Sequence, residues 1–333
     1  MKTKIVYVVA SLDDDIYMEQ AIVSAWSARH YNPDCRIEMA CCQDTFATLN
    51  SGIRAQYKYL FDKIHVREFQ PEQSMKERSR WMKTTLREIV EGDFFFIDTD
   101  TVIIGDLSII DSIPADVAMA YDANSPFPVD DTNSFGDRFI NKYSKIVGWE
   151  TLNGYYHFNS GAIFAKDTVS AKTLYNKWHE NWLECCKYDV YVDEPALTKA
   201  NKEVGELIQK LDDTLNWQIQ RHGCNIPIGT KILHYFASDR NYSAFVFAQE
   251  SFFRQRKESG MHTDQVDYYL DNMNQAFAKV THVISEDDYI LLKEINHYPL
   301  FRLKRTHPFL FSFLNKIVRN ASRIKAFIGK CKL

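Results

Sequence analysis

Long apolar runs are missing from this chain. Nowhere in its 333 residues is there anything near the roughly 18 consecutive apolar residues of a membrane-spanning helix, so an integral helical membrane protein is not expected. The opening Met1-Lys2-Thr3-Lys4 passes directly into Ile5-Val6-Tyr7-Val8-Val9-Ala10. That run is short for a secretory core and lacks a small-residue cleavage site, so it reads as a first β-strand, and a cytoplasmic protein is expected. A glycine-rich phosphate loop is also lacking, since Ser11-Leu12-Asp13-Asp14-Asp15 follows the strand; this excludes the dinucleotide fingerprint and the P-loop, whose backbone N–H groups cradle phosphate. Cysteine is sparse: seven, an odd number, with adjacent pairs at Cys41-Cys42 and Cys185-Cys186. Neither a disulfide framework nor a structural zinc site is indicated.

What is present is ordinary globular material, with 45% apolar and 25% charged residues. The length suits one large α/β domain with additions or two smaller domains. Charge is unevenly placed. Residues 298–333 hold nine Lys/Arg and no acid, which leaves 31 basic against 44 acidic residues, a net of −13, in residues 1–297. An acidic body disfavours nucleic acid as a partner. In the basic tail Phe311, Phe313, Leu314, Ile317 and Val318 interleave with Lys316, Arg319 and Arg323. That pattern suits an interfacial helix on anionic lipid, or a helix folded back on the body.

The stretch Phe94-Phe95-Phe96-Ile97-Asp98-Thr99-Asp100-Thr101-Val102-Ile103-Ile104 organises the rest. Its unbroken aromatic and β-branched run predicts a strand buried on both faces of an α/β sheet. Buried unpaired carboxylates are costly, so the strand must leave the core at Asp98. This puts Asp98 and Asp100 at the carboxyl edge of the sheet, where open α/β sheets bind ligands. Two carboxylates at i and i+2 around a bend can share a hard divalent cation, Mn²⁺ or Mg²⁺, with positions left for phosphate oxygens. A plain surface turn is the alternative.

Other elements follow from periodicity and caps. Met18, Ala21, Ile22, Ala25 and Trp26 give residues 16–26 a helical apolar face, and the preceding aspartates suit its N-terminus. Residues 36–42, 64–66 and 117–121 read as strands, the last ending at Asp122. Residues 79–90 read as one helix bearing Arg80, Lys83 and Arg87. Residues 125–153, with Pro126, Pro128 and many polar side chains, read as a long irregular insertion that helps form an acceptor pocket or lid. Residues 171–186 form an amphipathic helix, and another opens at Asp193-Glu194-Pro195, where capping explains the acids fully. His234 lies in the apolar strand 230–236, where a lone histidine is ordinarily a satisfied core residue. Residues 251–285 read as helices.

In their order and spacing, residues 5–26, 83–105, 158–165, 193–197 and 232–236 make the chain resemble the metal-dependent glycosyltransferases of the GT-A fold. The resemblance is greatest to the glycogenin-like and lipopolysaccharide-galactosyltransferase-like enzymes of family eight. It covers roughly the first 240 residues and implies an α/β fold with a mostly parallel, Rossmann-like central sheet flanked by helices and a C-terminal helical extension. It further implies Mn²⁺ or Mg²⁺ held by Asp98, Asp100 and His234, and a nucleotide-sugar donor, most naturally a UDP-hexose. Ala10, Ser11 and Tyr17 occupy the base and ribose positions, with Asp98 and Thr99 against the donor. Lys83 stands where the family places a cation over the diphosphate, with Arg80 as a competitor. Asn159 and Asp122 are implied for sugar hydroxyls, Gly161 for close backbone approach to a ligand, Asp193 for the donor sugar and Glu194 for the reaction centre.

Structural alternatives stand beside these: core packing for Tyr17, a solvated face for Lys83, a turn for Asp122, a bulge for Asn159 and a cap for Glu194. After Phe236 the chain departs from the family's Gly and Lys-Pro-Trp; Ala237-Ser238-Asp239-Arg240 leaves Arg240 as the substitute cation. The expected organisation is a catalytic domain over 1–250, a helical extension over 251–297 and a basic amphipathic tail over 298–333. The resemblance implies retention of stereochemistry. Together with the tail it implies a glycan or lipid-linked acceptor, as in lipopolysaccharide or capsule assembly, with the protein peripheral on the inner face of the plasma membrane. Two rivals are a sugar nucleotidyltransferase, which would carry a Gly- and Arg-rich loop after its first strand, and a catalytically silent sugar-binding scaffold of the same fold.

Overall fold

Strands with apolar residues on both sides need cover on both sides, and this sets the architecture. In β1 (Lys4–Val9), Ile5, Tyr7 and Val9 enter one hydrophobic cluster and Val6 and Val8 another; in β4 (Phe94–Ile97), Phe95 and Ile97 divide from Phe94 and Phe96 in the same way. The computed structural model describes residues 1–124, 128, 129, 135–219, 226–236, 245–276, 303, 307–314, 316 and 317. Within these, β2 (Ile37–Cys42), β3 (Lys63–Arg67), β6 (Val117–Tyr121), β7 (Phe158–Ala165) and β8 (Gln209–Lys210) complete a seven-stranded sheet of order β3-β2-β1-β4-β7-β6-β8. Strand β7 runs antiparallel to its neighbours β4 and β6, and the other pairings are parallel. The α/β, mostly parallel architecture expected from the sequence is therefore present.

The chain runs outward from β1 to β2 and β3, then crosses back to β4 on the other side of β1. That reversal leaves a crevice beyond the carboxyl ends of β1 and β4. After Ile97 the backbone bends through Asp98-Thr99-Asp100 and enters β5 (Thr101–Ile103). This strand belongs to a second sheet, pairing antiparallel with β10 (Ile232–His234), which in turn pairs with β9 (Trp217–Gln218). The stretch 94–104 is thus two strands in two sheets, with the acids at the elbow between them.

Helix α1 (Tyr17–Tyr31) bridges the two sheets, and its buried polar residues show how. Ser24 Oγ lies 3.0 Å from Tyr7 Oη on β1 and 2.9 Å from Thr101 Oγ1 on β5, while Ser27 Oγ accepts from Ile103 N at 2.9 Å. The aspartates before it do not cap it in the expected way, since no side chain caps at Ile16. Instead Asp15 accepts from Leu12 N, Ser11 Oγ and Tyr17 N, closing the acidic loop on itself.

After the short helices α2 (Gln43–Thr48) and α3 (Gly52–Ala55), the expected helix over 79–90 is two helices, α4 (Met75–Thr84) and α5 (Leu86–Ile89); α4 begins earlier because Ser74 and Glu77 form a capping box. The insertion expected to be irregular contains a helix, α6 (Phe135–Val147). Its buried Ile140, Asn141, Ser144 and Val147 fall on one face, a pattern hidden in the sequence by the polar residues among them. Helices α7 (Val169–Cys186) and α8 (Glu194–Glu203) cover the sheet face opposite α1. Of two compact units, Met1–Ala278 and Lys279–Leu333, the first includes the helices Glu250–Ser259 and Thr263–Asp271, of which the second docks on α1 through Trp26 Nε1 to Asp267 Oδ1 and Tyr31 Oη to Leu270 O, both at 2.7 Å. In the second unit residues 308–314 are helical. No described helix is long and apolar enough to cross a membrane.

Arg54, in the short helix Gly52–Ala55, ties this corner together: it grips both carboxylate oxygens of Glu19 at 2.7 and 2.8 Å and donates to Leu12 O at 3.0 Å. Both side chains are buried. Glu19→Ala strands a buried guanidinium and is expected to lower the unfolding free energy by about 3–5 kcal/mol in urea titrations followed by circular dichroism. A loss below about 1 kcal/mol, the range of a solvated pair, would contradict the burial of this contact.

Candidate active site

Two backbone hydrogen bonds fix the elbow. Asp98 N donates to Gly161 O on β7 at 2.8 Å, and Tyr235 N, next to β10, donates to Asp100 O at 3.1 Å. Thr101 Oγ1 closes the bend by donating to Asp98 O at 2.8 Å. The β5–β10 register sets His234 opposite Thr101, so the imidazole falls beside Asp100, with Nε2 3.3 Å from Oδ1. One oxygen each from Asp98 and Asp100 and a ring nitrogen of His234 lie within 4.8 Å of one another. Two carboxylates and an imidazole form a donor set suited to Mn²⁺ or Mg²⁺. The three sequence-expected metal ligands are therefore brought together.

Gly161 has a different reason from the one expected. A Cβ there would lie 2.2 Å from His234 Cε1 and 2.8 Å from Nδ1, so the close approach is to the histidine ring rather than to a ligand. Its φ is outside the left-handed region, and space alone calls for glycine. Phe236 stacks on the same imidazole at 3.9 Å and 10°, while holding a left-handed backbone (φ +51°) that is strained for an aromatic residue.

Lys83 is not on a solvated face. It is buried, its Nζ 3.3 Å from Asp98 Oδ1 and 3.7 Å from Asp193 Oδ2. Arg80, one turn earlier on α4, sets Nε 2.8 Å from Asp193 Oδ1 and keeps 31% of its side chain exposed. Asp193 stands at the start of α8 without capping it; besides the two cations its carboxylate accepts from Ser160 Oγ at 3.1 Å. Burial opposes its ionisation, but Arg80 first, then Lys83 and Ser160, hold the carboxyl below the usual carboxylate range. Beside it, burial and then the Asp193 charge push the Glu194 carboxyl up, against Arg80 and His157. The adjacent acids are driven in opposite directions.

A cavity of about 490 Å³ opens beside the elbow, lined by Ala10, Tyr17, Arg80, Asp98, Thr99 and Asp100 among others. Ser11 is fully buried instead, its backbone N–H donating to Thr45 Oγ1 and its hydroxyl to Asp15. Asn159 spends its amide inside the protein, donating to Asp122 Oδ1 at 3.2 Å and accepting from Gly161 N at 3.0 Å and Asn216 Nδ2 at 2.9 Å. Sequence reasoning missed Asn216 and Gln20. Asn216 touches Asn159 and His234, and Gln20 is buried on α1 yet lines the cavity; neither belongs to a recognisable motif. Arg240 lies outside the described residues.

No protein-family model and no curated protein matches the chain. Among solved structures, the chain is similar to the galactosyltransferase LgtC in complex with donor and acceptor sugar analogs, with 16% identity, a TM-score of 0.51, and coverage of 77% of this chain and 96% of that one. An active-site mutant of LgtC gives 14% identity, a TM-score of 0.50, and coverage of 76% and 95%. The fold is that of the GT-A glycosyltransferases.

The raised Glu194 carboxyl has a measurable consequence. Below its ordinary value of 4.5 both folded and unfolded states are protonated and there is no effect. Above that value the unfolded chain ionises first, so stability is lost as pH rises towards the folded-state value. Glu194→Gln removes this dependence, and its melting temperature relative to wild type is expected to climb as the pH rises above the ordinary value of 4.5. A difference that stays flat across that range would show that Glu194 ionises normally.

Proposed function

We propose that this chain is a metal-dependent glycosyltransferase that moves a hexose from a nucleotide-diphosphate sugar, a UDP-hexose in the first instance, to a glycan or lipid-linked acceptor with retention. The observation that carries the reading is the Asp98, Asp100 and His234 group, whose two acids line a cavity at the sheet's switch point. The similarity to a galactosyltransferase crystallised with donor and acceptor sugar analogs supports it.

Asp98, Asp100 and His234 would hold Mn²⁺ or Mg²⁺, which supplies neutralising charge to the diphosphate as it leaves. Ala10 and Tyr17 line the side of the cavity suited to the base and ribose. Arg80 lines the cavity and offers a cation to the diphosphate, while Lys83, buried behind it, sets the rotamers of Asp98 and Asp193. This preorganised charge provides most of the rate, since it needs no rearrangement as the leaving group becomes anionic. Asp193 orients the donor sugar. Glu194, whose carboxyl burial and the Asp193 charge push up, stands near the anomeric carbon and donates a hydrogen bond there when protonated, which agrees with front-face attack by the acceptor hydroxyl. Asn159 and Asp122 act from behind the sugar subsite.

In the second unit Phe309, Leu310, Phe313, Leu314 and Ile317 are exposed, Phe309 to 91%. Their spacing puts them on one helical face, within a segment that has nine cations and no acid. This supports a peripheral hold on anionic lipid near a lipid-linked acceptor.

Two experiments test these readings. Incubation with a panel of UDP-, GDP- and CDP-sugars is expected to show Mn²⁺-dependent hydrolysis, fastest for a UDP-hexose, with Asp100→Ala reducing it by about 100-fold or more. Release of pyrophosphate would point to a nucleotidyltransferase, and no turnover with any donor to a binding protein. For the tail, Phe309→Ser with Phe313→Ser is expected to abolish sedimentation with phosphatidylserine vesicles while leaving donor hydrolysis unchanged. Undiminished sedimentation would refute the lipid contact.

A further inference from the structure

A chain of hydrogen bonds runs behind the site, and each link dictates the next. Its first link is unambiguous: Gly161 N–H is a backbone group that can only donate, and it lies 3.0 Å from Asn159. The Asn159 atom facing it must be Oδ1, which turns Nδ2 towards the Asp122 carboxylate at 3.2 Å, an acceptor. The Asn216 atom 2.9 Å from that same Oδ1 must then be its NH₂. The other end of the Asn216 amide is therefore its oxygen, and it lies 3.0 Å from His234 Nδ1. An acceptor at that distance requires a proton on Nδ1, and the neutral ring then carries its lone pair on Nε2.

We infer that Asn216 is a positioning residue that fixes His234 as the Nδ1–H tautomer, so that the Nε2 lone pair faces Asp98 and Asp100. Nε2 is the nitrogen 3.3 Å from Asp100 Oδ1. The inference rests on the proposed cation site only for its purpose, since the geometry of the relay stands without it. Asn216 is built for rigidity. It is fully buried, its N–H donates to Asp213 O at 3.1 Å, and its C=O accepts from Asn124 Nδ2 at 3.1 Å. With the backbone held at both ends and the amide held at both ends, it leaves the imidazole one hydrogen-bonded orientation, and the packing on Gly161 and Phe236 fixes the ring plane. Outer-shell partners of this kind commonly alter cation affinity by about 10- to 100-fold when removed.

The test reads the ring directly. Long-range ¹H–¹⁵N spectra of the cation-free protein labelled with ¹⁵N-histidine, recorded at a pH high enough for the imidazole to be neutral and with His234 identified by the signals lost in His234→Gln, are expected to show a protonated Nδ1 and a bare Nε2. Asn216→Leu, close in size but unable to accept, is expected to shift the ring to the Nε2–H form or a mixture. It should also weaken Mn²⁺ binding, followed by the paramagnetic resonance of the free ion, by about 10- to 100-fold. Asn216→Asp keeps the acceptor and is expected to keep the Nδ1 proton. A neutral wild-type ring protonated on Nε2 alone overturns the inference, as does a folded Asn216→Leu that retains the Nδ1–H form and binds Mn²⁺ within about twofold of wild type. If Asn216→Leu does not fold, the wild-type and Asn216→Asp spectra decide. An Nδ1–H ring in a wild-type protein with no affinity for Mn²⁺ upholds the relay and overturns the cation reading instead.

Discussion

The backbone bonds at the two ends of Asp98-Thr99-Asp100 are the constraint on which the rest depends. A strand buried on both faces cannot carry carboxylates, so the chain must turn where they begin. Here the turn is used to change sheets: Gly161 O secures the last residue of one sheet's register and Tyr235 N the first of the next. Because both carboxylates sit on a backbone held at each end, their separation from His234 is a property of sheet pairing rather than of flexible side chains.

Charge is distributed around that bend with little slack. Lys83 is shared between Asp98 and Asp193, and Arg80 leans on Asp193 from the cavity side. A lysine with 3% of its side chain exposed is tolerable only because two carboxylates answer it. Arg80 and Lys83 settle Asp193 as an anion, while burial and the Asp193 charge, acting against Arg80, make Glu194 the acid that ionises less easily. Neighbouring residues of one chemical type thus acquire opposite protonation tendencies from burial and from which of them the cations reach.

Much of this was legible in the residues. The apolar run before Asp98 fixed the central strand, and the order of motifs placed His234 with the two acids. Other features were hidden for physical reasons. Helix α6 lay behind polar residues and prolines that mimic a loop, and Ser74 with Glu77 started α4 before its apolar face began. Ser11 looked like a loop residue facing a ligand but is consumed by the acidic loop's internal bonds. The role of Gly161 depends on a contact with a residue more than seventy positions away, and that of Asn216 on an amide whose partners, Asn159 and His234, lie on two different strands. Sequence patterns report periodicity along one element, and neither contact has any.

The two sheets are joined covalently at the elbow and again, without a covalent bond, wherever a bound species spans Asp98 on one side and His234 on the other. On the proposed reading such a species would act as a rivet. Sliding of β10 relative to β7 would change the width of its seat, so any load that shears the sheets loosens the ligand, and the ligand in turn stiffens the molecule against that shear. Occupancy of the seat and mechanical compliance of the body are in this way two measures of one displacement.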